Sequence, residues 1–389
     1  MTSITLLFVF LLAIFVGMPA TYYLYMRRLS KDPWNIRRDL QYSPSITVII
    51  PMHNEEKIIR LKLENLLKIV YPRDKLQIIV VDDSSEDASV PAVVEFQKSS
   101  SEVKIDLLEN KGPRGKVESL NLALENSNGD IIVVSDADCF WRPEALVKAV
   151  EFLSDPSIGA VTGLELLLNS GATWVTETEL MYNDVVHTIR IGESKFYSTI
   201  IFQGGFGAYK RSLLEKFDAE ADDSGTALSI VQKGARAILV SDVVYFTMFP
   251  RNLMGKMTTK LRRASTLAKI WFRGLALLLK REIILPNRIL LFEAFLHLVN
   301  PFVFLLLVLS SILVSLENPI LFLVFFGFLF AFLLNKSTRM LLIETVQNQL
   351  FLIGAILSLV FRWNFRLWSA ELDTRDLLTR DMLERCGLV

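Results

Sequence analysis

The 389-residue chain is 51% hydrophobic, too apolar for a protein that keeps its whole surface in water. Its 42 basic and 42 acidic residues cancel, so no whole-chain field draws it to nucleic acid, and the informative charge is local. Cys139 and Cys386 are too few for a disulfide framework and lack metal-ligand spacing; both read as free thiols of a reducing compartment.

Residues 1–26 carry no charged side chain and are long enough to cross a bilayer as a helix. Arg27, Arg28, Lys31, Arg37 and Arg38 follow at once, in a basic linker over 27–44. A secretory signal has its positive charge before the apolar run, so this order predicts an anchor with its N-terminus outside and the rest cytoplasmic. Tyr22, Tyr23 and Tyr25 suit the interfacial aromatic belt of the cell membrane.

Residues 45–250 alternate between strand and helix patterns. Strands are predicted over 45–51, 76–83, 103–109 and 130–138, with helices between them, the first over 54–70. Such alternation predicts parallel βαβ units in an α/β sheet covered on both faces, with ligands at the carboxyl ends of the strands. Three of these strands end in polar groups: His53, Asn54 and Glu55; Asp82 and Asp83; Asp136 and Asp138. The first strand runs into "PMHNEE" with no glycine, and no Walker A pattern occurs, which argues against dinucleotide-dependent oxidoreduction and P-loop chemistry. "IIVVSDAD" is the sharpest signal. A doubly buried strand should not end in two carboxylates that nothing neutralises, and the pair implies Mg²⁺ or Mn²⁺ bridging to substrate phosphates.

From 251 to 285 the chain is basic, with Arg251, Lys256, Lys260, Arg262, Arg263, Lys269, Arg273, Lys280 and Arg281. Met257, Leu261, Ala264, Ala268, Trp271 and Leu275 recur among them at helical spacing, which predicts amphipathic helices on an anionic membrane face. Residues 294–316, 318–335 and 345–361 are uncharged and give two or three C-terminal spans over 286–361. Three crossings would place the C-terminus outside, while Arg362, Arg366 and Arg375 in the polar tail 362–389 argue for inside. The weakest span is the stretch from Met340, with Glu344, Gln347, Asn348 and Gln349. It reads as a re-entrant or interfacial helix, or one whose polar groups face a protein-lined passage. His53, His187 and His297 read as structural, and Trp174 and Trp271 as packing.

Five motifs in order now carry a resemblance: "PMHNEE" (51–56), "VVDDSSEDAS" (80–89), "NKGPRGKVESLNLALENSNGDIIVVSDAD" (110–138), "FQGGFGAYKRSLL" (202–214) and "ADDSGTALSIVQKGARAILVSDVVYF" (221–246). Over residues 45–275 the chain resembles the family 2 glycosyltransferases, which implies the GT-A nucleotide-diphospho-sugar transferase fold. The resemblance implies that Asp138 ligates the metal, with Asp136 nearer the ribose or a metal-bound water. It implies that Pro51, Asn54, Glu55, Asp82 and Asp83 hold the nucleoside and that Lys116, helped by Arg114, brings positive charge to it. Gln203, Gly204, Gly205 and Asp222 would line the acceptor, and Asp223 would be the general base of an inverting displacement. A UDP-sugar is the default donor.

Processive members carry Q-x-x-R-W near the membrane junction. Here "TKLRR" (259–263) keeps Arg262 for the diphosphate but lacks the aromatic platform under an acceptor sugar. That departure favours transfer of one sugar to a lipid hydroxyl or lipid phosphate over a processive polysaccharide synthase. A non-catalytic scaffold or transporter would have no use for both Asp138 and Asp223.

Overall fold

The computed structural model describes residues 2–99, 103–361 and 372–389, so Arg362 and Arg366 lie outside the described residues. The chain divides into two units. The first carries β1 (Ile46–Met52), β2 (Leu76–Asp82), β3 (Lys104–Glu109), β4 (Ile131–Val134), β5 (Phe140–Trp141), β6 (Ile158–Leu167), β7 (Gly207–Lys210) and β8 (Arg236–Thr247). They form one eight-stranded sheet in the order β3-β2-β1-β4-β7-β6-β8-β5.

The β3-β2-β1-β4 half is parallel, as the alternating pattern predicts. β7 departs from it, running antiparallel to both β4 and β6. Because β7 runs against β4, its first residue sits beside the last residue of β4, with Gly207 opposite Val134. The glycine loop that precedes β7 therefore meets the aspartates that follow β4. Ile and Val of β1, β2 and β4 are buried among apolar residues of the helices Ile59–Leu67 and Ala145–Leu153. Each such side chain contributes about 1.5–3 kcal/mol. The helix predicted from residue 54 starts at Ile59, which leaves His53, Asn54 and Glu55 in the loop after β1.

Lys62, on that helix, is fully buried under the end of β4. Its Nζ donates to Ser135 Oγ and the Cys139 carbonyl, each at 2.6 Å, and lies 4.5 Å from the centre of the Trp141 ring. Burial pushes its pKa down to about 8, against the pull of Asp136 and Asp138.

The second unit gathers the N-terminal helix, the first part of the helix Trp174–Phe196 and the chain from Asn252 through Val360. Ser3–Leu29, Asn287–Glu317 and Lys336–Val360 are long and apolar enough to cross a membrane. Pro319–Leu334 has 16 residues, about 24 Å at the helical rise, which is shorter than a typical hydrocarbon core. Phe8 and Leu11 of the first helix pack with Val303, Leu307 and Val314. The basic helix Leu253–Leu279 forms, but two of its lysines turn inward rather than toward lipid headgroups. Lys256 is buried against Glu344 and 2.9 Å from Thr178 Oγ1, and Lys260 lies 2.7 Å from Glu179 and over the Tyr182 ring. Buried cations require such partners, and the polar residues of the stretch from Met340 supply one of them. Trp271 is buried as expected, whereas Trp174 is 43% exposed.

Lys62 makes a checkable link between burial and pH. Its folded-state pKa, about 8, lies below the 10.5 of the free side chain. The cost of burying the charge is thus present below pH 8 and is relieved as pH rises to 10.5, a gain on the order of 3 kcal/mol. Denaturant unfolding of the detergent-solubilised protein at pH 8 and pH 10 should show this rise, and Lys62→Met should lack it.

Candidate active site

The site is built where β1, β2 and β4 end. Asn54 takes a left-handed backbone with φ 55°, which asparagine tolerates. Its backbone N–H donates to Ser85 Oγ at 2.9 Å, and its Oδ1 accepts from Glu86 N at 2.8 Å. Glu55 N donates to Ser89 Oγ at 2.7 Å. These bonds stitch the loop after β1 to the loop after β2, so the Asn54 side chain serves loop structure. Pro51 sits within β1 opposite Val81.

Asp82 and Asp83 are both buried, with different work. Asp82 accepts from Ser85 N at 3.2 and 3.3 Å through its two oxygens. Asp83 accepts from Gly115 N at 3.0 Å, Asn110 Nδ2 at 2.6 Å and Ser119 Oγ at 3.2 Å. Its carboxylate is occupied in anchoring the turn that launches the helix Lys116–Glu125, a partnership invisible in a D-D dipeptide. Arg114 donates to the Ser84 carbonyl at 2.7 Å, part of the same loop framework.

Lys116 opens that helix, and its Nζ lies 2.7 Å from both Asp136 Oδ1 and Asp222 Oδ2. Burial draws its pKa down, but Asp136, Asp222 and Asp223 outweigh it and hold the ammonium well above its ordinary value. Asp223 precedes the helix Ser224–Gln232 and shares the field of Lys116 and Tyr209. The structure thus gathers Asp136, Asp222 and Asp223 around one lysine.

The glycine loop closes on the same spot. Asp136 N donates to the Gly204 carbonyl at 2.9 Å, and a Cβ at Gly204 would stand 2.1 Å from Asp136 Oδ2. At Gly205 a Cβ would stand 2.1 Å from the Tyr245 ring, while the Gly205 carbonyl accepts from Trp141 Nε1 at 2.7 Å. Both glycines are needed for close approach rather than for an unusual φ. Gln203 Oε1 accepts from Tyr245 OH at 2.9 Å.

The unforeseen residue is Arg375, from the C-terminal tail. Its Nε and Nη2 donate to the two oxygens of Glu55 at 3.0 and 2.7 Å, and its Nη1 lies 2.8 Å from Asp138 Oδ2. Burial raises the Glu55 pKa to about 7, Arg375 opposes the rise, and Asp138 and Asp136 add to it. No local signal in the sequence marks a contact across 320 residues, and the tail reads only as polar. Lys62 carries no distinguishing signal, because a lysine within an amphipathic helix ordinarily faces solvent. Arg262 is exposed on the helix Leu253–Leu279, which belongs to the other unit.

Among the described residues, Asp136, Asp138 and Cys139 offer ligand atoms within 4.8 Å of one another. Burial, then Asp138 and Asp136, push the Cys139 thiol well above its ordinary pKa. Asp136 and Asp138 supply hard carboxylate oxygens, a donor set that fits Mg²⁺ or Mn²⁺.

Residues 47–218 match the model of the "Glycosyl transferase family 2" family. PcManGT, a mannosyltransferase from Pyrobaculum calidifontis solved in complex with GDP-Man and Mn²⁺, is 31% identical with a TM-score of 0.80, covering 93% of this chain and 100% of that one. The "Probable glycosyltransferase YdaM" of Bacillus subtilis is 33% identical over 206 residues, 50% of this chain and 48% of that protein. "Poly-beta-1,6-N-acetyl-D-glucosamine synthase" of Staphylococcus aureus is 23% identical over 292 residues, 73% of this chain and 69% of that protein. The matches to YdaM and to the "N-acetylglucosaminyltransferase" of Bradyrhizobium diazoefficiens span about half the length of those two proteins. With a GT-A sheet, acids gathered at its strand ends and these similarities, the chain belongs to the family 2 glycosyltransferases, and it is a glycosyltransferase.

Proposed function

We propose that the protein transfers one sugar from a nucleoside-diphosphate sugar to a membrane lipid or lipid-phosphate acceptor, with inversion, at the cytoplasmic face of the cell membrane. The observation that carries the chemistry is the gathering of Asp136, Asp222 and Asp223 around Lys116, with Asp138 next to Asp136 in the chain. Two acids after β4 and two before the helix Ser224–Gln232, set about one ammonium, would supply a cation site, a phosphate counter-charge and a base within one structural unit.

Asp138 and Asp136 would hold Mg²⁺ or Mn²⁺, which when bound neutralises the departing diphosphate. Asp82 and Glu55 would take the nucleoside. Lys116 would meet the diphosphate as Asp136 turns to the cation, and Arg262 is proposed as a second phosphate contact. Asp223 would remove the proton from the acceptor hydroxyl as the anomeric bond breaks, its charge held by Lys116. Gln203, Gly204, Gly205 and Asp222 would shape the acceptor side. UDP is the default donor nucleotide from the family resemblance; the GDP-Man bound by PcManGT makes GDP the competing choice.

The lipid acceptor rests on the spans Ser3–Leu29, Asn287–Glu317 and Lys336–Val360 and on the missing aromatic of "TKLRR". A processive polysaccharide synthase is the second reading, favoured by the similarity to the poly-N-acetylglucosamine synthase.

Purified protein in lipid, given GDP- and UDP-sugars with Mn²⁺ or Mg²⁺ and followed by mass analysis, decides between them. A lipid gaining one sugar supports the first reading, a ladder of polymer the second. Asp223→Asn should bind the donor yet lose turnover by on the order of 10²–10⁴; normal turnover would remove the base assignment. Gly204→Ala should push Asp136 aside and weaken Mn²⁺ binding by roughly tenfold or more, measured by electron paramagnetic resonance, with the fold retained by circular dichroism.

A further inference from the structure

Residues 372–389 of the C-terminal tail are seated on the sheet unit by more than one contact. Leu383 and Leu388 are fully buried with Phe140, Val244 and Phe246. Asn65 Nδ2 donates to the Leu388 carbonyl at 2.7 Å. Lys57 pairs with Asp376, and Arg380 with Glu64. This apolar anchor with flanking ion pairs holds the helix Leu372–Leu377 at the acid cluster.

From that seat Arg375 occupies an oxygen that a cation would need, Oδ2 of Asp138. Glu55 clamps its guanidinium through both carboxylate oxygens, the strong fork geometry of arginine with a carboxylate. The remaining nitrogen, Nη1, lies 2.8 Å from Asp138 Oδ2. The other oxygen, Oδ1, is 3.6 Å from the Cys139 thiol. Asp136 is likewise taken, by Lys116 at 2.7 Å. Both aspartates of the D-x-D are thus neutralised by side chains of the protein itself. A divalent ion on Asp138 would compete with Nη1 for the same lone pairs and repel the guanidinium.

We infer that the C-terminal tail is an autoinhibitory strap, in which Arg375, clamped by Glu55, holds Asp138 closed to the metal–nucleotide complex until Nη1 is displaced. The strap rests on the metal reading of Asp136 and Asp138. The tail remains tethered through Leu383 and Leu388 while Arg375 swings, so the block is reversible, and the hold on Arg375 sets how much cation or donor is needed to open the site.

Mn²⁺ alone, titrated into the full-length protein in detergent and followed by electron paramagnetic resonance, tests this without turnover. Arg375→Gln should bind Mn²⁺ about tenfold more tightly than wild type, the loss of one charge-assisted competitor. Arg375→Lys, which keeps the charge without the fork, should fall between them. Weaker or unchanged binding by Arg375→Gln would overturn the strap and make Arg375 a supporting residue. Mn²⁺ that binds none of the three proteins would remove the metal reading, and the strap with it. Hydrogen exchange on the wild type needs no variant: amides of Leu372–Leu377 should exchange faster once Mn²⁺ and UDP or GDP are added. Unchanged or slower exchange there, with the nucleotide bound, would contradict the proposal.

Discussion

Carboxylates gathered at the ends of buried strands repel one another and resist burial, and everything around this site answers that constraint. Glu55, Asp136, Asp138 and Asp222 meet Arg375 and Lys116 at hydrogen-bond distance. Lys62 adds a third cation from below, through Ser135 and the Cys139 carbonyl. Burying a base lowers its pKa, and Lys116 keeps its charge because Asp136, Asp222 and Asp223 outweigh that cost; Glu55, raised by burial, is drawn back only in part by Arg375. The site is in effect a set of salt bridges.

The sheet topology supplies the geometry. Parallel strands β1, β2 and β4 end on one side, which brings together loops far apart in the chain. The antiparallel β7 then returns the glycine loop to the end of β4, where only residues without a Cβ can lie against Asp136 and Tyr245. A uniformly parallel sheet would have left that loop at the opposite edge. Asp83 is part of this framework: holding Gly115, Asn110 and Ser119, it fixes where Lys116 starts its helix.

Much of the fold was legible because its signals are local. Val/Ile runs bounded by polar strand ends marked β1, β2 and β4, and uncharged stretches with flanking arginines marked the long apolar helices. The D-x-D was legible because a buried strand ending in two acids violates the ordinary rules of burial, and violations cluster at functional sites. What stayed hidden depends on partners remote in sequence. Arg375 reaches Glu55 across 320 residues. Lys256 and Lys260 look like headgroup-binding charges until Glu344 and Glu179 are found beside them. The antiparallel sense of β7 has no pattern of its own, since a four-residue strand carries too little periodicity to read.

The central claim is that Asp136 and Asp138 hold a divalent cation that the protein's own cations otherwise replace. Anomalous diffraction at the manganese edge, from crystals soaked with Mn²⁺ and a nucleoside diphosphate, tests it most directly. The account predicts one peak within bonding distance of an Asp138 carboxylate oxygen, with the Arg375 guanidinium moved off that oxygen. Nucleotide bound with no manganese at Asp138, or with manganese elsewhere, would contradict it.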